Sequence, residues 1–328
     1  MKLAPSVFTA IFLSIGIHSN AQFNKDSLVI NNITENALLH SPAYESLKVL
    51  CKDIGHRLSG SAAKVKANQW AIQALYRAGA DTVWLQPVLV PKWERGKESM
   101  VVRTATGKKI SLKMISLGNS EGTNGKLLTA PIIVFQSLDD LKEAKPEDIK
   151  GKVVFLNSGL PQKHITTFDG YGESFMNRYL GPNIASEKGA VAYVMRSLST
   201  GIDDYAHTGV MSYKDGVSKI PAIALGNSSS NLLNNLCKEG SVTAKIRSNC
   251  RMKGEVMDYN IIGELSGETN NYITVGGHLD SWDVGEGAHD DGAGCVQSIE
   301  VLRLFKHLNI KPKNTLRVVL FANEENGA

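Results

Sequence analysis

Two short acidic loops, each set directly after an apolar run, narrow the folds open to this chain. Tyr272-Ile273-Thr274-Val275 leads into Gly276-Gly277-His278-Leu279-Asp280-Ser281-Trp282-Asp283, and Gly287-Ala288-His289-Asp290-Asp291-Gly292-Ala293-Gly294 follows in the same loop. Leu316 to Ala322 is a second apolar run, and Glu324-Glu325 comes just after it. Between them Val296, Ile299, Leu302 and Phe305 recur at helical spacing, so 296–308 reads as an amphipathic helix. Strand, loop, helix and strand in this order indicate an α/β sheet. A strand that is apolar at nearly every position is expected where a mostly parallel sheet is covered on both faces. Ligands of such sheets bind beyond the carboxyl ends of the strands, where both acidic loops fall.

The residue types in the loops suit a metal centre. His278 offers an imidazole nitrogen, which suits zinc. Asp280, two residues on, can accept a hydrogen bond from the other ring nitrogen and so fix the tautomer. Asp290 can bridge two cations with its two oxygens, and Glu325 can bind the second. Glu324 is left as the general base on an attacking water. A set this rich in carboxylates favours two metal ions over one. His289 has no required part in this scheme. The alternative is that these carboxylates are solvated surface, with Asp290-Asp291 capping the next helix; the joint pattern across two strand ends argues against it.

The rest of the chain supports an exported two-domain protein. Its 328 residues suffice for two domains, with 42% hydrophobic and 21% charged residues as in a soluble globular protein. The net charge of +4 is mild and no Lys/Arg run stands out, so nucleic-acid binding is not expected. Lys2, the apolar run Val7 to Ile17 and Ser19-Asn20-Ala21 read as a signal peptide over 1–21, which implies a secreted or periplasmic protein. No other segment is long and apolar enough to span a membrane. Residues 22–40 remain undecided, and 41–58 reads as a short amphipathic helix. A helix is expected over 62–78, capped by Ser61 and ended by Gly79. Val83 to Val90 reads as a strand, with Trp93-Glu94-Arg95-Gly96 as its turn and return strands near 98–103 and 110–115 completing an antiparallel ribbon.

From 118 to 250, short strands and helices alternate and read as an inserted domain; its last helix is expected at Asn231–Cys237 with Ser230 as N-cap. The domains are therefore 22–117, 118–250 and 251–328. His164 and His207 stand alone, although His207 could face a substrate cleft. Cys237 and Cys250 flank one expected strand and could pair in an oxidising compartment, with unpaired buried cysteines as the alternative. Ser59, in Leu-Ser-Gly, lacks the Gly-x-Ser-x-Gly setting of a hydrolase nucleophile.

Taken together, the two acidic loops and Glu324-Glu325 resemble the zinc exopeptidases of the M28 family, in particular the carboxypeptidase Q (plasma glutamate carboxypeptidase-like) branch. Gly55-His56-Arg57-Leu58-Ser59-Gly60-Ser61, Val90-Pro91-Lys92-Trp93-Glu94-Arg95-Gly96, His207-Thr208-Gly209 and Ile220-Pro221-Ala222 are also similar to that branch, so the likeness covers most of 41–328. The resemblance implies a phosphorylase/hydrolase-like, mixed-sheet α/β peptidase domain interrupted by a protease-associated (PA) domain. It implies two zinc ions: His278 on one, Glu325 on the other, Asp290 bridging, and Glu324 as base. Short peptides with a free terminus are the implied substrates; a homodimer is left open. The family pattern also has a later acidic ligand and a later histidine. Neither occurs before Ala328, so the expectation is a truncated, incomplete peptidase domain with weak or absent two-metal binding and poor activity. Two other readings use the same residues: a dizinc amide hydrolase or acyltransferase, and a noncatalytic binding protein built on the inserted domain.

Overall fold

The computed structural model describes residues 25–327, so the expected signal segment at 1–21 lies outside the described residues. Residues 25–39 are helical. A short helix Ala43–Lys48 and a π-helical turn Val49–Ile54 follow, then the helix Ala62–Arg77. Ser61 caps the latter as expected: its backbone is extended and its hydroxyl accepts the Lys64 N–H at 3.1 Å. Ala67, Ala71, Ala74 and Leu75 make the buried face. Small side chains there let the helix lie close to the sheet.

Twelve strands are described. They are β1 (Thr82–Glu94), β2 (Glu98–Thr104), β3 (Lys109–Leu112), β4 (Met114–Ser116), β5 (Leu128–Phe135) and β6 (Val153–Leu156), then β7 (Ala192–Arg196), β8 (Ala222–Leu225), β9 (Val242–Ser248), β10 (Arg251–Leu265), β11 (Thr269–His278) and β12 (Asn314–Phe321). They form two sheets, in the orders β1-β10-β12-β11 and β3-β2-β9-β5-β6-β7-β8-β4. Both are mixed. In the first, only β11 and β12 are parallel. In the second, β5 to β8 are parallel, with antiparallel neighbours at either side.

The chain leaves the first sheet along β1 and returns along β10, and the two strands pair from Thr82↔Glu264 to Glu94↔Arg251. β1 carries Pro87 and Pro91, which a central strand would not tolerate; it sits at the sheet edge, where a missing N–H costs little. The expected ribbon of 83–90 with 98–103 does not form. Glu98–Thr104 pairs with β9 and β3 instead, because Met100 and Val102 bury against Ala244, Ile246 and Leu112. Residues 98–248 thus supply every strand of the second sheet.

The second sheet meets the both-faces rule well. Val153–Leu156 and Ala222–Leu225 are buried at every position, with one apolar cluster on each face. β12 departs from it. Leu316, Val318 and Leu320 pack against Ala71, Leu75 and Leu302, whereas Phe321 on the opposite face is exposed and Arg317 stacks over Tyr272 at 3.9 Å. The run is continuous in sequence but more deeply buried on one face.

One further expectation needs correction, one helix stands outside the expectations, and the open cysteine question is decided. The last helix of the second sheet starts at Asn227, after Gly226, because Asp204 supplies the acceptors for Ser229 N–H and Oγ, each at 2.9 Å. A helix at Thr167–Tyr179 was not foreseen; its buried residues are Gly170, Ser174, Asn177 and Arg178, so no apolar stripe announces it. Cys237 and Cys250 are unpaired, and Cys250 Sγ instead accepts the Ser248 hydroxyl at 3.1 Å.

Candidate metal centre

β11 and β12 run parallel with His278 opposite Phe321, so their carboxyl ends finish level and the two acidic loops emerge side by side. This register brings His278, Asp290 and Glu325 together: one ligand atom from each lies within 4.8 Å of the others. His278 Nε2 is 2.8 Å from Asp290 Oδ1 and 3.8 Å from Glu324 Oε2. Asp290 and Glu324 are 71% and 59% exposed toward the adjoining cleft, while Glu325 is buried and accepts the Trp282 N–H at 3.2 Å. The helix-cap alternative holds for Asp291 alone, whose oxygens accept the His278 and Gly294 N–H groups.

Asp280 does more than face the histidine. Its carboxylate is fully buried and accepts the Glu324 and Glu325 N–H groups, both at 3.1 Å, and the Ser59 hydroxyl at 3.3 Å. His278 Nδ1 lies 3.1 Å from the Asp280 backbone oxygen and 3.4 Å from Oδ1. One side chain therefore ties the end of β11 to the end of β12. Ser59 is spent on this link, its hydroxyl shared between Asp280 and Ala322 O, the latter at 2.8 Å.

Arg57 is a supporting residue that sequence reasoning missed. It is completely buried, and its guanidinium donates to the carbonyls of Leu279 (2.6 Å), Glu286 (2.9 Å) and Gly287 (2.9 Å). These carbonyls belong to the loop that carries His278 and Asp290, so the cation acts as the internal scaffold of that loop. The only local signal is an arginine among glycines and serines. Arg57→Met should leave the Leu279 and Glu286 carbonyls unpaired, with Gly287 O keeping only the Gly292 N–H, and destabilise the fold by about 3 kcal/mol or more. Urea denaturation measures this; a change below about 1 kcal/mol would show that the loop holds itself.

The same loop docks the second sheet. Asp283 makes a two-pronged ion pair with Arg95, both contacts 2.7 Å, and Arg95 also donates to Ser116 O. Trp282 packs edge-on to Trp93 at 6.4 Å, and Trp93 Nε1 donates to Ser120 O at 2.8 Å. Trp282 fits only because residue 118 is glycine: a Cβ there would fall 1.9 Å from its Cη2 atom. Gly118→Ala is expected to destabilise by about 1–3 kcal/mol and to shift Trp282 fluorescence. An unchanged melt and spectrum would mean that this packing is not maintained.

Between the two sheets opens a cleft of about 790 Å³. The first sheet lines it with Trp282, His289, Asp290, Glu324 and Glu325, the second with Tyr171, Arg178 and His207. His207 thus faces the cleft, whereas His164 pairs with Glu173 at 2.6 Å elsewhere on the second sheet's unit. Charges crowd the cluster. Burial, then the charges of Asp290 and Asp280, push Glu325 up to about 8. Burial would lower His278, but hydrogen bonds to Asp280 and Asp290 and the charge of Glu324 outweigh it and raise it to about 11. The hydrogen bond to His278 holds Asp290 below the usual carboxylate range.

Comparison with known proteins agrees with this layout. The profile of Peptidase family M28 matches residues 260–328, which contain every residue of the cluster. Human carboxypeptidase Q is 35% identical over 288 residues, covering 87% of this chain and 59% of that protein. The crystal structure of a peptidase M28 precursor from Shewanella amazonensis superposes with a TM-score of 0.86 at 34% identity, covering 92% of this chain and 68% of that one. The chain belongs to peptidase family M28. It spans about three fifths of the length of the curated relatives it matches. BSAP, a zinc aminopeptidase from Bacillus subtilis, shares the fold at TM-score 0.58 and 20% identity, over 86% of this chain and 61% of that one.

The residues present fit a zinc ion. One imidazole and two carboxylates converge within 4.8 Å, a donor set zinc accepts. Three protein donors are also what a catalytic zinc site commonly uses.

Proposed function

We propose that this chain carries the catalytic residues of an exported zinc metallopeptidase that removes a terminal residue from short peptides. The convergence of His278, Asp290 and Glu325 at the ends of two neighbouring parallel strands carries this reading. In its fuller form His278 and Asp290 would hold one zinc ion, and Asp290 with Glu325 would hold a second. When bound, zinc supplies Lewis-acid polarisation of the scissile carbonyl and acidifies the attacking water.

The chain's own groups do the rest. Glu324 projects into the cleft beside His278 and takes the proton of the attacking water, then returns it to the leaving amine. Asp280 holds the backbone of both glutamates, so base and ligand keep a fixed separation. The second sheet closes the other wall of the cleft, and we assign it the role of a PA-like inserted domain. Export rests on Lys2, the Val7 to Ile17 run and Ser19-Asn20-Ala21. Among the described residues no helix is long and apolar enough to cross a membrane.

Hydrolysis of a dipeptide panel tests the reading. Turnover should vanish on treatment with 1,10-phenanthroline and return with added zinc. Turnover that is indifferent to the chelator, or no turnover of any peptide with a free terminus, would contradict it.

A further inference from the structure

The loop that carries Glu324 and Glu325 is gripped from two sides. The N–H groups of both glutamates donate to Asp280, just past the end of β11. The outgoing carbonyl is held from the other sheet, because Asn119 Nδ2 donates to Asn326 O at 3.2 Å. Among the described residues this is the one hydrogen bond that the second sheet's unit makes to the loop. Asn326 is 5% exposed, and its own amide nitrogen and oxygen find no hydrogen-bond partner among the described residues. Its side chain therefore does not anchor the loop, whereas its carbonyl, held by Asn119, does.

Asn119 is firmly mounted for this task. It occupies the third position of a β-turn from Leu117 to Ser120, closed by the Ser120 N–H on Leu117 O at 3.1 Å. Its φ of +65 is one that asparagine tolerates better than most residues. Leu117 and Ser120 are completely buried. The Leu117 N–H donates to Ala222 O at 2.9 Å and the Ala222 N–H to Ser120 Oγ at 2.8 Å, which fixes both ends of the turn to β8. The Gly118 N–H donates to Gly209 O at 2.8 Å, so the turn also backs the cleft wall. Residues 116–120 further receive Arg95, Trp93 and Trp282. One short segment of the second sheet's unit thus meets both acidic loops, through Trp282 on the first and Asn326 on the second.

We propose that Asn119 is a positioning residue for peptide hydrolysis, holding the loop after β12 so that Glu324 keeps its place beside His278. This rests on the peptidase reading and gives the second sheet's unit a part in it. Glu324 is 59% exposed, so its placement follows from its backbone, held by Asp280 on one side and Asn119 on the other. A displacement of about 1 Å at a reacting group can cost about 100-fold in rate, and loss of one of two holds is expected to cost about tenfold.

Asn119→Gly and Asn119→Asp test this. Glycine keeps the turn and removes the amide, while aspartate keeps the shape and sets an acceptor against Asn326 O. In each variant kcat should fall about tenfold with KM within about twofold, since Asn119 does not line the cleft. The fall should disappear in a Glu324→Gln background, where the displaced group can no longer take a proton. Hydrogen exchange followed by mass spectrometry should quicken at the amides of residues 324–327 and stay unchanged over β8. Wild-type kcat and exchange in both variants overturn the proposal. So does an equally large fall in the Glu324→Gln background, which marks a general structural role. Should Asn119→Asp fail to fold, Asn119→Gly decides, because glycine leaves the turn intact. Quickened exchange in a protein that hydrolyses no peptide would uphold the grip of Asn119 on the loop and remove the peptidase reading alone.

Discussion

Glu324→Gln is expected to lower kcat for peptide hydrolysis by about 10²–10⁴-fold while zinc affinity stays within about threefold. Glutamine keeps the size and polarity of the side chain but cannot take a proton. The backbone will not move, because the Glu324 N–H is held by Asp280 Oδ1, and the side chain is exposed to the cleft rather than packed. His278, Asp290 and Glu325 remain in place to bind metal. Steady-state kinetics and a zinc titration of the same preparation give both values. A kcat within threefold of the wild type would remove Glu324 as the base; a parallel loss of zinc would make it a ligand instead.

Asp280→Ala should do broader damage. It leaves the Glu324 and Glu325 N–H groups without their acceptor in a buried site, while the Ser59 hydroxyl keeps Ala322 O. Unsatisfied buried groups cost about 1–3 kcal/mol each, so a loss of about 3–5 kcal/mol is expected even though some neighbours can adjust. The link between the ends of β11 and β12 goes with it, and a supporting carboxylate of this kind is typically worth about 10–100-fold in metal affinity. Urea denaturation and calorimetry should therefore both respond. A stability change alone would limit Asp280 to a structural role, and no change in either would refute its placement.

The parts legible in the sequence were those fixed by neighbours a few residues apart. Ser61 capped its helix, and the apolar runs before His278 and before Glu324-Glu325 became parallel strands. That single topological fact brings three widely separated residues together. Partners far along the chain were not legible. Glu98–Thr104 carried the pattern of a strand, but nothing local says that it pairs with Val242–Ser248 rather than with its predecessor. Arg57, Arg95 and Asp283 stand in motifs of the sequence without assigned partners, and only the fold shows which carbonyls and carboxylates they meet. The Thr167–Tyr179 helix escaped notice because it buries glycine, serine, asparagine and arginine. A reading by hydrophobic periodicity overlooks such a helix, and Arg178 lies on it.

The central claim is that His278, Asp290 and Glu325 act together as metal ligands. A calorimetric zinc titration of the wild-type protein and of His278→Ala, Asp290→Ala and Glu325→Ala tests it most directly, with melting curves to establish that each variant is folded. Saturable zinc binding that falls by at least about 100-fold in each folded variant is the predicted result. Zinc binding that survives unchanged in any folded variant would contradict the assignment of that residue, and survival in all three would place the metal elsewhere.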